Sequence, residues 1–246
     1  MRYLILSDIH ANWEALEAVL AGAEGGYGQI VCCGDLVGYG PDPNRVADWV
    51  RDHAAFVVRG NHDKAAARLE NLEWFNPVAK AAALWTINEL SPVNQEYVRR
   101  LAKGPLAIEG FQIVHGSPLD EDEYLLGAVE VRQAFAYLDC DLTFFGHTHV
   151  QGGFMASRGH VRALSGPRWG IPSMPLGLNP DDSYLINPGA VGQPRDGDPR
   201  AAYAIYDSDG HFVDYFRHEY DIGGVQEKIR RAGLPSMLAE RLAAGQ

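Results

Sequence analysis

Five short clusters of polar, metal-binding residue types interrupt the first 150 residues, and each comes directly after a short apolar run. In chain order, the clusters are Asp8-Ile9-His10, Gly34-Asp35, Gly60-Asn61-His62-Asp63, His115-Gly116 and Gly146-His147-Thr148-His149. Imidazole and carboxylate groups together suit manganese, iron, zinc and nickel ions rather than calcium or magnesium alone. A single Asp-x-His or Gly-Asp occurs often by chance, but all five clusters in this order predict a metal site.

The spacing inside two clusters favours paired ligands. Asp8 and His10 are separated by one residue, as are His147 and His149, so both side chains of each pair can point to one side of a strand or loop. Two cations roughly 3.5–4 Å apart need a shared anionic bridge and several neutral ligands. The clusters supply both kinds of group, and their glycines allow the backbone to turn sharply beside the ligands.

The apolar runs before the clusters predict buried strands that alternate with helices. Strands are expected over residues 3–6, 30–33 and 56–58, and helices are expected to begin after Asn12 and at Pro43. This alternation predicts an α/β sandwich with parallel strands at its centre. Each strand leads directly into a polar loop, and ligands of open α/β sheets bind at the carboxyl ends of the strands.

The remainder of the chain continues the α/β pattern with one interruption. Further elements are expected as helices within 77–102 and over 128–138, strands over 142–145 and 184–186, and hairpins over 106–114 and 201–216. Residues from about 150 to 180 are rich in glycine and proline and are expected to form an ordered, flap-like insertion. Residues from about 222 to 246 form a predicted C-terminal helical tail. With no repeat or linker, a single domain over 1–246 is the simplest interpretation.

Composition limits the classes of partner. The formal net charge is −11, whereas proteins that bind nucleic acid usually carry a basic face. A metal cluster can reverse the field locally, so the charge disfavours nucleic acid without excluding it. The acidic run 120–123 is expected to be a solvated loop. Three cysteines give no disulfide framework, and no signal peptide or membrane span is evident, so we expect a cytoplasmic protein without membrane contact.

Taken together, the five clusters resemble those of the calcineurin-like metallophosphoesterases, in particular the compact bacterial and archaeal type. The resemblance extends from Asp8 to the segment 187–195, Asn-Pro-Gly-Ala-Val-Gly-Gln-Pro-Arg, and so covers nearly the whole chain. It implies two mixed β-sheets flanked by helices, which agrees with the α/β pattern. It also implies a dinuclear phosphoesterase that hydrolyses phosphodiester or phosphomonoester bonds with a metal-bridging hydroxide, nucleophilic near neutral pH because coordination lowers the pKa of water.

The resemblance also implies a role for each residue of the clusters. Seven side chains would hold two divalent cations: Asp8, His10 and His149 on one ion, Asn61, His115 and His147 on the other, and Asp35 as a bridge between them. His62 would lie beside the ions as a general acid that contacts the phosphate. Manganese is the favoured metal, and iron, zinc and nickel are the alternatives.

One departure from the family pattern leaves two roles open. Many larger members carry Gly-Asp-x-x-Asp-Arg-Gly, in which the second Asp orients the catalytic histidine and the Arg holds phosphate. The corresponding segment here is residues 34–40, Gly-Asp-Leu-Val-Gly-Tyr-Gly, so both groups are missing. Another group must therefore orient His62. The neighbouring Asp63 could form a hydrogen bond that supports the site, or it could simply stabilise a turn. Arg195 or Arg59 could supply the phosphate contact. The alternative for Arg195 is a structural ion pair with a neighbouring Asp, and the alternative for Arg59 is an exposed position without a role in the site.

Several functions share this metal core. Besides a phosphodiesterase or phosphatase, the sequence allows a dinucleoside polyphosphate hydrolase, and the substrate is expected to be a small phosphate ester, nucleotides included. A scaffold that has lost activity, like the retromer-coat subunit of this family, is disfavoured because His62 and every expected ligand are present. A DNA nuclease is disfavoured by the acidic charge. The sequence indicates no oligomeric state.

Overall fold

Two mixed, six-stranded β-sheets form the centre of the protein, and eight helices flank them in a computed structural model that describes all 246 residues. From edge to edge, the first sheet consists of β3 (Phe56–Val57), β2 (Gln29–Cys32), β1 (Arg2–Leu6), β11 (Ala201–Asp207), β12 (Phe212–His218) and β9 (Ser173–Gly177). The second consists of β4 (Leu106–Ile108), β5 (Phe111–Ile113), β6 (Leu142–Phe144), β10 (Ser183–Asn187), β7 (Gly152–Ser157) and β8 (His160–Ser165). The predicted sandwich is confirmed.

The predicted helices are present in the predicted order. The eight helices of the structure are α1 (Trp13–Ala23), α2 (Pro43–His53), α3 (Asn61–Ala66), α4 (Pro77–Glu89), α5 (Pro92–Arg99), α6 (Ala128–Ala136), α7 (Ile222–Arg231) and α8 (Ser236–Ala244). Of these, α3 was not predicted, and it lies between the second and third of the predicted helices. As the sequence predicts, Asn12 caps α1, because its side-chain oxygen accepts a hydrogen bond from the backbone N–H of Ala15 at 3.1 Å. Its amide group also donates to the carbonyl of Gly192 at 2.8 Å, which ties the start of α1 to the segment after β10.

Parallel pairing places the carboxyl ends of several strands side by side. In the first sheet, β1, β2 and β3 are parallel to one another, and in the second β5, β6 and β10 are parallel. The other pairs are antiparallel, from β1 with β11 to the β7–β8 hairpin. All six parallel strands therefore deliver the loops that follow them to one end of the sandwich.

The core lies between the two sheets and continues outside each of them. Along β1, Tyr3 and Ile5 face the opposite sheet and contact its apolar side chains, such as Phe111, while Leu4 and Leu6 face the helices outside. This alternation is the two-residue period of a strand. Burial of a large aliphatic side chain contributes roughly 1.5–3 kcal/mol, so both layers anchor β1 and the loop that begins after Leu6.

Residues 150–180 continue the two sheets. This stretch contains β7 and β8, which extend the second sheet, and β9, which pairs with β12 at the edge of the first. These strands were not predicted, because glycine and proline interrupt the alternation of apolar and polar residues in this stretch. The division into a single domain with a flap-like insertion stays a prediction.

The two C-terminal helices pack onto the end of the sandwich where the polar loops lie. Their apolar faces form a cluster with α4 and with Tyr39, which belongs to the loop after β2. Val225 and Leu238 are fully buried in this cluster. The predicted helical tail thus lies against the same loops that carry the predicted ligands. No helix of the structure has the length and apolar character needed to cross a membrane.

Candidate metal centre

The structure brings together the seven side chains predicted to bind metal. They come from the loops after five strands, three in one sheet and two in the other: Asp8, His10, Asp35, Asn61, His115, His147 and His149. All are buried except Asn61, which is half-buried. The sandwich therefore joins residues up to 141 positions apart in the sequence, from Asp8 to His149, into one cluster.

Four of these residues form a first group whose potential ligand atoms all lie within 4.8 Å of one another: Asp8, His10, Asp35 and His149. Nε2 of His149 lies 3.3 Å from Oδ1 of Asp8, and Nε2 of His10 lies 3.5 Å from Oδ2 of Asp35. The two Nε2 atoms of His10 and His149 are 3.1 Å apart. The ligand atoms therefore converge on one point.

A second group adjoins the first. Asp35, His115 and His147 offer ligand atoms within 4.8 Å of one another. Nε2 of His115 lies 3.4 Å from Oδ2 of Asp35, 3.2 Å from Nδ1 of His147 and 3.3 Å from the side-chain oxygen of Asn61. Asp35 belongs to both groups, which is the position that a bridging ligand requires.

The protonation of the first pair of histidines favours a cation between them. Nδ1 of His10 lies 3.1 Å from the carbonyl oxygen of Val37, and Nδ1 of His149 lies 2.5 Å from that of Gln193. A carbonyl only accepts, so both Nδ1 atoms carry the proton, and burial lowers the pKa of both rings well below the ordinary value. Two Nε2 lone pairs then face each other at 3.1 Å, an arrangement that a cation stabilises.

The second pair of histidines has the same design. Nδ1 of His115 donates to the carbonyl of Cys33 at 2.8 Å, and Nε2 of His147 donates to that of Asp122 at 3.1 Å. Their other nitrogens face each other. Burial lowers the pKa of His115, but Asp35 outweighs burial and raises it to about 10. Among the protein groups alone, a proton on His115 therefore compensates Asp35, as a cation would.

The carboxylates supply the negative charge that such a centre needs. Burial raises the pKa of Asp35, but His115 and His62 outweigh burial and hold it well below the ordinary value. Burial raises the pKa of Asp8 to about 6. Oδ2 of Asp35 is buried and has no hydrogen-bond partner. A buried carboxylate oxygen without a donor is costly, and coordination of a cation would satisfy it. The donor set therefore fits divalent metal ions.

Five of the seven residues adopt left-handed backbone conformations, which non-glycine residues rarely do. Their φ angles are 52° for Asp8, 49° for His10, 54° for Asp35, 66° for His147 and 59° for His149. Such conformations cost about 1–3 kcal/mol each and cluster at functional sites, where the surrounding structure enforces them. The concentration of strain here supports a functional role for this end of the sandwich.

His62 lies beside the cluster, as predicted, but no carboxylate holds its ring. Its backbone N–H donates to Oδ1 of Asp35 at 2.9 Å. The ring packs among three others, with centroids 4.2 Å from Tyr39, 5.0 Å from His10 and 5.2 Å from Phe75. Burial lowers the pKa of His62 to about 4, and its Nδ1 is buried without a partner. Aromatic packing therefore orients a neutral imidazole.

Asp63 braces the loops that carry the ligands. Its Oδ1 accepts hydrogen bonds from the backbone N–H groups of Leu36 at 3.0 Å and Val37 at 3.2 Å, and its Oδ2 accepts from that of Gly60 at 3.0 Å. These bonds join the loop after β2 to the start of α3. Asp63 thus fixes Asp35 and Asn61 relative to each other instead of orienting the ring of His62.

The two candidate arginines differ sharply. Arg59 forms a bidentate ion pair with Glu121, at 3.0 Å and 2.9 Å, so its guanidinium is not free for phosphate. Arg195 lies at the metal centre. Its guanidinium carbon is 5.7 Å from the ring centroid of Tyr39, and its Nε is buried without a partner. The Asp that follows Arg195 pairs with Arg217 instead, so Arg195 is not half of a structural Arg–Asp pair.

The acidic run 120–123 is solvated only in part: Asp120 and Asp122 are exposed, as expected, but the expectation is wrong for Glu121. Glu121 is buried, because it pairs with Arg59 and with Lys64. Lys64 also pairs with Asp122, whose backbone carbonyl accepts from His147. The charges of Glu121 and Asp122 are compensated by Lys64 of α3 and by Arg59 of the loop after β3, which the local sequence does not reveal. The run therefore supports the second group of ligands from outside.

A cavity of about 390 Å³ opens directly beside the cluster. His62 and His147 form its inner wall, and Tyr124, Phe75 and Trp74 form its aromatic sides. The ring of Tyr124 stacks on that of His147 with centroids 3.8 Å apart. Trp74 is 93% exposed at the rim. These three aromatic residues were not predicted as part of the site, because they belong to loops without a recognisable motif.

A larger cavity, of about 460 Å³, lies at the opposite end of the sandwich. It is lined by residues at the amino ends of β1, β6 and β10, including Tyr3, Leu142 and Tyr184. None of the predicted ligands reaches it. The concentration of histidines, buried carboxylates and strained backbone is found at the carboxyl ends of the strands, beside the smaller cavity.

The chain is similar to proteins of one family. The model of calcineurin-like phosphoesterases matches residues 1–151. An uncharacterised protein of Methanocaldococcus jannaschii is 38% identical over 252 residues, which cover 98% of this chain and 97% of that protein. The crystal structure of a metallophosphoesterase from Sphaerobacter thermophilus is 41% identical, with a TM-score of 0.86 and coverage of 100% of this chain and 99% of its own. A hypothetical protein from Pyrococcus horikoshii, 20% identical, shares the fold with a TM-score of 0.76 and coverage of 100% and 98%.

This chain belongs to the calcineurin-like phosphoesterase family. The predicted resemblance and the predicted fold are therefore confirmed. Membership identifies a metal-dependent phosphoesterase, in agreement with the two groups of Asp and His side chains that could hold metal ions.

Proposed function

We propose that this family member is a dinuclear metal-dependent hydrolase of small phosphate esters. The observation that carries the proposal is the pair of converging histidine groups, His10 with His149 and His115 with His147, on either side of the unpartnered oxygen of Asp35. Two pairs of ring nitrogens around one carboxylate suit two cations with a shared bridge. The mixed nitrogen and oxygen donors favour manganese, with iron, zinc and nickel as alternatives.

Seven residues would hold the two ions. Asp8, His10 and His149 would bind one ion, Asn61, His115 and His147 would bind the other, and Asp35 would bind both. When bound, the ions supply Lewis acidity, which activates water near neutral pH and neutralises charge on the phosphoryl oxygens. The protein holds each histidine in one tautomer through the backbone carbonyls of Val37, Gln193, Cys33 and Asp122. This fixes the direction of each lone pair before an ion arrives.

His62 and Arg195 are the groups that we propose to contact the phosphate. Arg195 supplies a permanent positive charge, and its buried Nε lacks a hydrogen-bond partner. His62 is neutral among the protein groups, because burial lowers its pKa to about 4. It would donate a hydrogen bond to the departing ester oxygen, and the negative charge of a bound phosphate would raise its pKa and favour proton transfer.

The leaving group of the ester would occupy the cavity beside His62. Its aromatic sides, Tyr124, Phe75 and Trp74, suit a flat aromatic group such as a nucleobase or a nitrophenyl ring. The rim also carries Glu70, which pairs with Lys64 at 3.3 Å. No arginine lines this cavity, so it suits the uncharged part of the substrate better than a second phosphate.

The first experiment measures metal content together with hydrolysis. The protein is stripped with a chelator and restored with manganese, and p-nitrophenyl phosphate is compared with bis(p-nitrophenyl) phosphate. Two metal ions per chain with turnover of either ester support the proposal, and the faster ester distinguishes a phosphodiesterase from a phosphatase. Two ions without turnover of either would favour the scaffold hypothesis. A chain that binds no metal would overturn the proposal.

The role of His62 is tested separately by His62→Ala. Because His62 belongs to neither ligand group, metal content should stay at the wild-type value while turnover falls by about 10²–10⁴-fold, as expected for loss of a general acid. Loss of both metal and turnover would instead make His62 a residue on which the metal centre depends.

A further inference from the structure

A second arginine, Arg241 of α8, lies next to Arg195. Nη2 of Arg195 donates to the side-chain oxygen of Gln193 at 2.9 Å, and Nη1 of Arg241 donates to the same oxygen at 3.3 Å. Two guanidinium groups thus meet at one neutral acceptor. Arg241 is the last basic residue of the chain and belongs to no motif.

No carboxylate compensates the two charges. The nearby acidic residues are engaged elsewhere, Asp196 with Arg217 and Asp198 with Arg200. Burial lowers the pKa of Arg241, and the charge of Arg195 lowers it further. Like charges held this close in a partly buried place destabilise the free protein.

Both arginines also have donors to spare. The Nε atoms of Arg195 and Arg241 are buried and have no hydrogen-bond partner. Each guanidinium has five N–H donors in a planar fork that matches the oxygens of a phosphate group. Unsatisfied buried donors on adjacent cations are what an anion-binding site requires before its anion arrives.

The pair is continuous with the metal centre. The backbone carbonyl of Gln193 accepts from Nδ1 of His149, and its side-chain oxygen is the acceptor that both arginines share. Arg195 lies over Tyr39, whose ring packs against those of His10 and His62 in tilted arrangements. On α8, the buried neighbours Leu238 and Leu242 pack against the same loops and hold Arg241 in place.

We propose that Arg241 binds a second phosphate group of the substrate, next to the phosphate that Arg195 and the metal ions would hold. The substrate class would then be esters that contain a phosphoanhydride, such as nucleoside diphosphates or dinucleoside polyphosphates. This inference rests on the proposed function, because it requires the first phosphate to lie at the metal centre. The C-terminal helices would thereby set substrate specificity.

The test compares the binding of two anions by calorimetry, which needs no turnover. Inorganic phosphate and methylenediphosphonate, a diphosphate analogue that resists hydrolysis, are titrated into the manganese-restored protein. In Arg241→Gln, the dissociation constant for methylenediphosphonate should rise at least about tenfold, the equivalent of one lost charge-assisted contact. That for phosphate should change by less than about twofold. Arg195→Gln should weaken both anions.

Matched variants separate this role from charge and stability. Arg230→Gln removes the same charge from an exposed position on α7, and both anions should bind it as they bind the wild type. Arg241→Lys keeps a cation at the site, so it should recover part of the diphosphonate affinity even if the Gln variant folds poorly.

Three outcomes would overturn the inference, and they differ in whether the proposed function survives. Unchanged diphosphonate affinity in Arg241→Gln, or an equal loss for both anions, would refute the second phosphate site and leave the proposed function intact. Wild-type protein that binds metal but neither anion would refute the proposed function as well.

Discussion

The close approach between Gly60 and Asp35 provides a sharp test of the proposed bridge. A methyl group added at Gly60 would lie 2.6 Å from both the backbone nitrogen and Cγ of Asp35, and closer still to its Oδ1. The φ of Gly60 is −102°, which alanine adopts without strain, so the only cost of Gly60→Ala is this overlap. Because the overlap involves backbone as well as side chain, rotation of the Asp35 carboxylate alone cannot relieve it.

The expected loss can be worked out from this geometry. Overpacking of this kind costs about 1–3 kcal/mol, which lowers the unfolding midpoint of a chain this long by about 2–12 °C. The shift of Asp35, the residue shared by both ligand groups, should also reduce manganese content and turnover. Calorimetry on the stripped protein measures the packing cost alone, and elemental analysis after restoration measures the effect on the metal centre.

Gly177 in β9 is the matched control. A methyl group there would meet nothing within 4 Å, and its φ is not left-handed. Gly177→Ala should therefore leave metal content unchanged and should stabilise the protein slightly, by up to about 1 kcal/mol. If Gly60→Ala melted within about 1 °C of the wild type and bound a full complement of metal, the assignment of Asp35 as a fixed bridge would be refuted.

Three further substitutions test other parts of the site. Asp35→Asn should abolish turnover and lower the content of both metal ions, as measured by elemental analysis, because Asp35 faces both groups. Trp74→Ala should raise KM for an aryl ester about two- to tenfold. Trp169 is exposed elsewhere on the protein, so Trp169→Ala should leave this KM unchanged. Equal KM values for the two variants would exclude the aromatic cavity as the leaving-group site. Burial raises the pKa of Glu121, but its cationic partners outweigh burial and lower it. Its stabilisation is therefore present above pH 4.5 and lost in acid, so Glu121→Gln should cost about 1–3 kcal/mol in urea unfolding at pH 7 and less at pH 4.

Local sequence signals predicted the ligand-bearing end of the sandwich well. The loops after β1, β2 and β3 follow short apolar runs whose length and boundaries are encoded within ten residues, such as residues 3–8 and 29–35. Asn12 and Pro43 mark helix starts through local chemistry, and both helices begin there. Signals of this kind can be recognised in the sequence because the backbone groups and side chains that interact are neighbours in the chain.

Contacts between distant segments could not be predicted. The burial of Glu121 depends on Arg59 and Lys64, about 60 positions earlier. The orientation of His62 depends on Phe75, which belongs to no motif, and on Tyr39, which lies where this chain departs from the family motif. The strands within 150–180 are stabilised by pairing with β10 and β12 rather than by their own pattern. In each case the decisive partner is brought close only by the fold.

Backbone hydrogen bonds between the loops explain how four of the five strained residues can persist at one site. The N–H of Asp8 donates to Gly34, that of His10 to Asp35, that of Gly192 to Asp8 and that of Arg195 to His149. Each bond joins two different loops, so neighbouring backbone helps to hold the left-handed conformations of Asp8, His10, Asp35 and His149. The same network includes Arg195, so the group proposed to hold phosphate is fixed with the metal ligands. A centre built in this way loses little conformational entropy when its ions and substrate bind.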